Sequence, residues 1–343
     1  MTKKIRVLVV DDSMVFREAL ARGIGADPAI EVVGTAADPY IARDKIIELE
    51  PDVLTLDVEM PRMNGIEFLR RLMPQYPIPV VMISALNNAV FEALQAGAVD
   101  FVCKPEGNSN SSGRSVNTFI NELITKIKIA SMAKVGHKKS EYIYKQSITS
   151  VGNVSKIKVI AIGASTGGTE AINGIIKSLP SDMPGIVIVQ HMPPVFTRMY
   201  AERLNNSCAL QIREAKDGDI IRPGLALIAP GEYHMSVSRA GVHNIVKCRQ
   251  GERVNGHCPS VDVLFDSVAE HCGANSIGMI LTGMGYDGAK GLLALRKKGA
   301  RTIGQDERSS VVYGMPKVAF DIGAVEQQVA LEKIPAMLCS MLL

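Results

Sequence analysis

The sequence of 343 residues has no apolar run long enough to cross a membrane, which would take about 18 residues or more. We also expect no secretory signal peptide, because the first residues lead directly into a predicted strand. The six cysteines are scattered and form no C-x-x-C pair, which argues against a zinc knuckle and a disulfide framework. We therefore expect a cytoplasmic protein with reduced thiols and no membrane insertion.

A basic folded surface is also missing. The net charge is +3, and residues 107–158 alone hold nine Lys or Arg against two Asp or Glu. The basic excess therefore lies in a connecting segment, whereas a nucleic-acid-binding domain needs it on a folded face. No helix-turn-helix or basic recognition helix is visible either. We predict no nucleic-acid partner.

The first 105 residues alternate between short apolar strands and helices, which is typical of a parallel, doubly wound sheet. We predict strands over residues 5–10, 31–36, 52–57, 79–84 and 100–105, and helices over 14–25, 39–49, 64–73 and 87–95.

Ligands bind beyond the carboxyl ends of such strands. The polar residues at these ends are Asp11, Asp12, Asp57, Ser84 and Lys104. Three crowded carboxylates call for a divalent cation, and their oxygens suit Mg²⁺. Asp57 is then positioned as a carboxylate nucleophile for phosphoryl transfer.

The segment from Val7 to Pro105 resembles the receiver domain of response regulators. The motifs that carry the resemblance are Asp11-Asp12, Leu56-Asp57-x-x-Met60-Pro61-x-Met63-Asn64-Gly65, Ser84-Ala85 and Lys104-Pro105. It implies a flavodoxin-like fold, with a histidine kinase as phosphodonor and Asp57 as phospho-acceptor. It also implies Mg²⁺ on Asp11, Asp12 and Asp57, and a switch made of Ser84, Phe101 and Lys104.

The chain changes character after this segment. Residues 116–132 have apolar side chains at helical spacing and are predicted to close the first domain. Periodicity then disappears, and Lys, Ser, Gly and Gln dominate. We therefore predict a receiver domain over residues 1–132, an interdomain linker over 133–156 and a second domain over 157–343.

The second domain begins with an apolar strand that runs into Gly163-x-Ser165-x-Gly167, followed by a helical pattern. This strand–turn–helix arrangement is typical of a nucleophile elbow. On the motif alone, a phosphate-binding loop is an open alternative. A dinucleotide site, however, would want an acidic residue at the end of the next strand, where the chain has Gln190-His191. We therefore favour a nucleophilic serine.

Two further strand ends supply partners for Ser165. The strand from Gly185 leads into His191, and the βαβ rule predicts that it is a neighbour of the Ser165 strand. A third strand, over residues 275–281, runs into a Gly-rich loop that carries Asp287, which could orient the imidazole. Backbone N–H groups at Thr166 and Met284 are the predicted oxyanion hole, and His234 is placed on the substrate side. His257 is an alternative candidate for the catalytic base, and Asp262 and Asp306 are alternatives to Asp287. The remaining histidines are considered structural or part of the linker: His137, His243 and His271.

Residues 156–343 resemble the catalytic domain of the chemotaxis protein-glutamate methylesterases. The motifs are Ile162-Gly-Ala-Ser-Thr-Gly-Gly168, Gln190-His-Met-Pro193, Ala229-Pro-Gly-x-x-His234, Pro259-Ser-Val-Asp262, Leu281-Thr-Gly-Met-Gly-x-Asp-Gly288, Gln305-Asp306 and Gly314-Met-Pro316. The resemblance implies a doubly wound α/β domain with a mainly parallel sheet and a Ser165, His191, Asp287 triad that needs no cofactor.

The implied function is chemotaxis adaptation. A phosphorylation-regulated serine hydrolase would demethylate glutamate methyl esters on methyl-accepting chemoreceptors and deamidate receptor glutamines. We also expect the receiver to cover the catalytic cleft until Asp57 is phosphorylated. The alternative from another class is a response regulator with a binding output, such as DNA binding.

Overall fold

The computed structural model describes residues 3–85, 89–105, 116–136 and 156–342. The chain divides into two compact units, Met1–Lys138 and Lys139–Leu343. Most of the predicted linker, together with His137, lies outside the described residues. So do residues 87 and 88, where the fourth helix was predicted to begin.

The first unit is a five-stranded parallel sheet with strand order β2-β1-β3-β4-β5. Its strands are β1 (Ile5–Val10), β2 (Ile30–Ala36), β3 (Val53–Asp57), β4 (Val80–Ser84) and β5 (Asp100–Cys103). Its helices are α1 (Met14–Gly25), α2 (Pro39–Leu49), α3 (Gly65–Leu72), α4 (Ala89–Ala96) and α5 (Val116–Ala130). This arrangement is the predicted flavodoxin-like fold.

Local sequence explains where these elements start and stop. Helix α2 begins after Asp38, whose carboxylate accepts hydrogen bonds from the N–H groups of Tyr40 and Ile41, with Pro39 at the first helical position. Every residue of β3 and β4 is buried, as expected for central strands covered by helices on both faces. The polar residues Asp57 and Ser84 end these two strands, so they share one edge of the sheet.

The second unit is a seven-stranded sheet in which all paired strands are parallel, with an antiparallel hairpin beside it. The strands are β6 (Val159–Ala164), β7 (Gly185–Gln190), β8 (Gln211–Glu214), β9 (Leu225–Ile228), β10 (His234–Ala240), β11 (His243–Arg249), β12 (Ser276–Ile280), β13 (Arg301–Gln305) and β14 (Gln327–Val329). The helices are α6 (Gly168–Ile176), α7 (Phe196–Asn205), α8 (Val261–His271), α9 (Ala289–Lys297), α10 (Met315–Asp321) and α11 (Ile334–Leu342).

The strand order of this sheet is β14-β13-β12-β6-β7-β9-β8. From β6 the chain proceeds first to β7 on one side and later to β12 on the other, which makes the carboxyl end of β6 the point where the winding direction changes. Ligand sites in open α/β sheets lie at such a point. Helix α8 packs across it, because a Cβ on Gly163 would lie 2.2 Å from Val261 Cγ1 and one on Gly288 would lie 2.4 Å from the same atom.

None of the helices in the described ranges is long and apolar enough to span a bilayer.

Candidate active site

Ser165 lies on the turn between β6 and α6, at the carboxyl edge of the sheet. Its backbone is fixed on both sides, because its N–H donates to Thr282 O at 3.0 Å and its carbonyl accepts from Gly168 N–H at 2.7 Å. Gly167 has φ of 78°, a conformation that costs glycine little. Ser165 itself is half-buried. The local sequence therefore holds the hydroxyl at the sheet edge, as the elbow motif predicts.

His191 follows β7, which pairs directly with β6; Ala164 and Gln190 are partners in the register. Gln190 links the two strand ends, because its side-chain amide donates to Ser165 O at 2.9 Å and to His191 O at 3.2 Å. Strand pairing and this buried amide together set the spacing between the serine and the histidine.

Asp287 lies in the loop between β12 and α9 and completes the set. Its Oδ2 is 2.9 Å from His191 Nε2, and the two side chains are only 1% and 8% exposed. Since the carboxylate accepts, His191 carries its proton on Nε2. The ring is thus oriented by a carboxylate, and its second nitrogen is left for another partner.

Four further donors surround the Asp287 carboxylate. Oδ2 accepts from Val261 N–H at 2.7 Å, while Oδ1 accepts from Asn255 Nδ2 at 2.8 Å, Ser260 Oγ at 2.7 Å and Asp262 N–H at 3.3 Å. Burial alone would raise the pKa of this carboxyl. The hydrogen bonds from His191 and Asn255 outweigh that effect and hold the pKa well below its usual range. Asp287 therefore stays ionised.

The remaining ring nitrogen of His191, Nδ1, is buried and has no hydrogen-bond partner among the described residues. No hydrogen bond joins it to the Ser165 hydroxyl within those same ranges, although the two residues end neighbouring strands. Hydrogen bonds between a nucleophile and its base are often loose without substrate and tighten when it binds.

Gly283, the residue before Met284, lies directly against Ser165. A Cβ at position 283 would lie 2.7 Å from Ser165 Cβ, so only glycine permits this approach. Within the described part of the chain, the Met284 N–H has no hydrogen-bond acceptor. Thr166, the next residue after the nucleophile, is buried, and its carbonyl accepts from Thr282 Oγ1 at 3.0 Å. The oxyanion-binding role predicted for the N–H groups of Thr166 and Met284 stays a prediction.

His234, predicted on the substrate side, has both ring nitrogens engaged by backbone groups. Its Nδ1 accepts from Ser260 N–H at 3.2 Å and its Nε2 donates to Glu252 O at 2.8 Å. The ring therefore holds the loop between Glu252 and Ser260 and has no spare polar atom to offer a substrate.

The rival residues also have clear positions. Asp262 accepts from Asn255 Nδ2 and from Gly291 N–H, and Asp306 accepts from Ser309, so neither is the carboxylate on His191. His257 stacks on the His191 ring with centroids 3.7 Å apart and planes 8° apart. His243 starts β11 and His271 ends α8.

The first unit has a second polar cluster. Oxygen atoms of Asp11, Asp12 and Asp57 lie within 4.8 Å of one another. Lys104 Nζ is 2.6 Å from Asp57 Oδ2 and 3.3 Å from Asp11 Oδ2, and it lies over the Phe16 ring. Asp11 Oδ2 is buried, and apart from its ion pair with Lys104 it accepts no hydrogen bond from the described residues. This donor set fits a hard divalent cation, which prefers carboxylate oxygens.

Burial raises the pKa of Asp57 to about 6, even though the contact with Lys104 lowers it. Burial lowers the pKa of Lys104, but its contacts with Asp57 and Asp11 outweigh this and raise it above its ordinary value. Ser84 and Phe101, the predicted switch residues, are both buried, and Ser84 Oγ donates to Ala85 O at 2.9 Å.

Three residues of the candidate site have contacts that the sequence patterns do not predict: Gln190, Asn255 and Ser260. In the sequence, Gln190 stands where a dinucleotide site would have an acid, and it is part of the Gln190-His-Met-Pro193 motif. Asn255 and Gly256 form the Asn-Gly pair typical of a tight turn, and Ser260 precedes a helix as a capping residue would. These signals predict local structure, but not the contact with an aspartate some 30 residues away.

Comparison with protein families matches both units. Residues 160–338 match the family model described as CheB methylesterase, and residues 7–111 match the response regulator receiver domain.

Individual relatives match this chain over nearly its whole length. The chain is 61% identical to a protein-glutamate methylesterase/protein-glutamine glutaminase of Syntrophomonas wolfei, with 97% of this chain and 96% of the relative covered. It is 54% identical to one of Syntrophotalea carbinolica, with 97% and 96% covered. Among solved structures, it is similar to the catalytic domain of Thermotoga maritima CheB methylesterase, at 36% identity and a TM-score of 0.53, covering 54% of this chain and 98% of that one.

Proposed function

Since the chain belongs to the CheB methylesterase family and carries a receiver domain, it is a phosphorylation-regulated protein-glutamate methylesterase and protein-glutamine glutaminase, and we propose that Ser165, His191 and Asp287 perform its hydrolysis. The observation that carries this assignment is the His191 Nε2 contact with Asp287 Oδ2 at 2.9 Å. It leaves Nδ1 as the nitrogen that can accept a proton, next to the strand that presents Ser165.

The first half of the reaction forms an acyl-enzyme. His191 Nδ1 takes the proton of Ser165 Oγ, which attacks the carbonyl carbon of the glutamate methyl ester. The N–H groups of Thr166 and Met284 stabilise the resulting oxyanion. When the tetrahedral intermediate collapses, the imidazolium gives its proton to the leaving methoxide, and methanol departs.

The second half releases the product. His191 removes a proton from water, the hydroxide attacks the acyl carbon, and Ser165 Oγ leaves with the proton from the ring. The glutamate carboxylate is then free. A glutamine side chain follows the same route with ammonia as the leaving group. Asp287 supports both halves, because its ionised form holds the ring and stabilises the imidazolium without taking the proton.

The receiver unit controls this chemistry through Asp57. We propose that one oxygen of its carboxylate attacks the phosphorus of a phosphohistidine on a chemotaxis histidine kinase, forming an acyl phosphate and freeing the histidine. Mg²⁺ held by Asp11, Asp12 and Asp57 would supply positive charge beside the phosphoryl oxygens. Lys104 stabilises another phosphoryl oxygen, and Ser84 donates a hydrogen bond to a third. The buried Phe101 ring would shift with Ser84.

The substrates that fit this activity are methyl-accepting chemoreceptors. Because Ser165 is only half-buried, side-chain esters and amides of a receptor can reach it from solvent. The distribution of charge and the absence of a basic recognition helix in the sequence favour this assignment over a nucleic-acid-binding output.

A substitution at the nucleophile tests the proposal. We expect Ser165→Ala to reduce methanol release from a methylated receptor by about 10⁴-fold or more, because no other group can form the acyl-enzyme. A fluorophosphonate probe should label the wild-type protein at Ser165, as located by peptide mass spectrometry. Near-normal methanol release by the variant, or probe attached elsewhere, would contradict the assignment.

A further inference from the structure

A tight turn at Val254–His257 lies beside the catalytic site. The backbones of Val254 and His257 exchange two hydrogen bonds of 3.0 Å. The central residues Asn255 and Gly256 have φ of 54° and 84°. This is the geometry of a two-residue turn with positive φ at both positions, and Asn-Gly is the residue pair that favours it.

The two polar side chains of this turn contact different members of the triad. Asn255 Nδ2 donates to Asp287 Oδ1 and to Asp262 Oδ2, both at 2.8 Å, so both of its amide protons are used on carboxylates. The His257 ring lies parallel to the His191 ring, 3.7 Å away. A turn of only four residues thus touches both the base and the carboxylate that orients it.

We propose that this turn is a brace for the catalytic dyad, in which His257 and Asn255 are positioning residues for His191 and Asp287. The inference rests on the proposed function, since it takes His191 as the base. The hydrogen bond at Nε2 fixes one end of the His191 ring but leaves the ring free to swing about that contact. The stacked face of His257 restricts this swing and keeps Nδ1 directed towards Ser165.

The Asn255 amide supplies the second part of the brace. Two carboxylates lie close together here, and burial with the nearby Asp287 charge raises the pKa of Asp262. Asn255 bridges them with one proton on each, so that Asp287 turns its other oxygen towards His191. A hydroxyl or a methyl group at position 255 could not bridge both carboxylates in this way.

The chain allows matched variants that keep the turn. Asn255→Gly retains a residue suited to positive φ and removes only the amide. His257→Phe retains a flat ring for stacking, whereas His257→Ala removes it. We expect Asn255→Gly and His257→Ala each to lower kcat by about tenfold or more, because misplaced catalytic groups cost rate. KM should stay within about twofold, since the substrate contacts are untouched. His257→Phe should keep most of the wild-type kcat.

A second readout does not depend on turnover. The ring proton shared between His191 Nε2 and Asp287 should give a downfield proton NMR resonance in the full-length protein. We expect it to persist in the wild type and in His257→Phe, and to broaden or shift in His257→Ala and Asn255→Gly. If the wild type showed no Ser165-dependent hydrolysis, the proposed function would fail, and this resonance would still test the brace.

The brace is wrong if His257→Ala and Asn255→Gly keep wild-type kcat and an unchanged resonance while the wild type hydrolyses esters through Ser165. It is also wrong if His257→Phe loses as much kcat as His257→Ala, because stacking would then not be what matters. A loss of kcat that appears only together with a matching rise in KM would mean that the turn binds substrate, which likewise contradicts the brace.

Discussion

The two units of this chain each bury an aspartate at the carboxyl edge of a parallel sheet, and the two carboxylates have opposite properties. Asp57 is 1% exposed and Asp287 is 2% exposed, so burial is equal. Burial raises the pKa of Asp57 to about 6, whereas the pKa of Asp287 is held below its usual range. The number of donors makes the difference, because five donors surround Asp287 while Asp57 lies beside the carboxylate of Asp11.

This difference matches the two proposed chemical roles. A carboxylate with few donors and an acidic neighbour gains from a cation and from transfer of its charge onto a phosphoryl group. A carboxylate with every oxygen engaged is a poor nucleophile and a firm support for an imidazole. With these proposed roles, similar positions in similar sheets would give a reactive carboxylate in one unit and an inert one in the other.

The largest effect is expected from Asp287→Asn. The amide that replaces one oxygen would donate to the His191 ring, which would then move its proton to Nδ1 and could no longer accept one from Ser165. We expect kcat for methanol release to fall by about 10⁴-fold, as for an aspartate-to-asparagine change in a serine triad. Asp306→Asn is the matched control, since Asp306 accepts a hydrogen bond from Ser309 and not from His191, and it should retain most activity. Equal losses of kcat in the two variants would contradict a specific role for Asp287.

A smaller effect is expected on stability at Asp57. Because its folded pKa is raised from 3.8 to about 6, its contribution to stability is fully present below about pH 3.8 and is lost as the pH rises through 6. The loss amounts to about 3 kcal/mol at about 1.4 kcal/mol per unit. Asp57→Asn lacks this dependence. We therefore expect the variant to be more stable than the wild type at pH 7 in EDTA.

Hydrogen exchange of the β3 amides, followed across a urea series at pH 4 and pH 7, would measure the free energy of unfolding of the first unit in the wild type and in Asp57→Asn. Added Mg²⁺ should stabilise the wild type at pH 7 and leave Asp57→Asn nearly unchanged. A wild-type protein whose β3 stability rises between pH 4 and pH 7 in EDTA would contradict the raised pKa.

The sequence predicts those features that depend on neighbours along the chain. The βαβ pattern places Ser165 and His191 on adjacent strands, and the structure has β6 paired with β7. The Gly-rich turn predicts the backbone around Ser165, where Gly167 has φ of 78°. The receiver sheet follows in the same way from its alternating strands and helices.

Contacts between segments that are distant along the chain could not be predicted from these sequence patterns. Nothing in the sequence pattern says that β12 lies on the far side of β6, or that the turn at Asn255 reaches Asp287, 32 residues later. The spacing of motifs also did not predict that His191 contacts Asp287 at 2.9 Å while the His257 ring stacks on the His191 ring. These contacts depend on how α8 packs across the sheet, which only the folded structure fixes.

The most direct test of the account compares Asp57→Asn and Asp287→Asn in one assay, methanol release from a methylated receptor with and without a small-molecule phosphodonor and Mg²⁺. We expect Asp57→Asn to keep the basal rate and lose the response to the phosphodonor, and Asp287→Asn to lose hydrolysis under both conditions. An Asp57→Asn protein without basal activity, or an Asp287→Asn protein that still hydrolyses the ester at the wild-type rate, would contradict it.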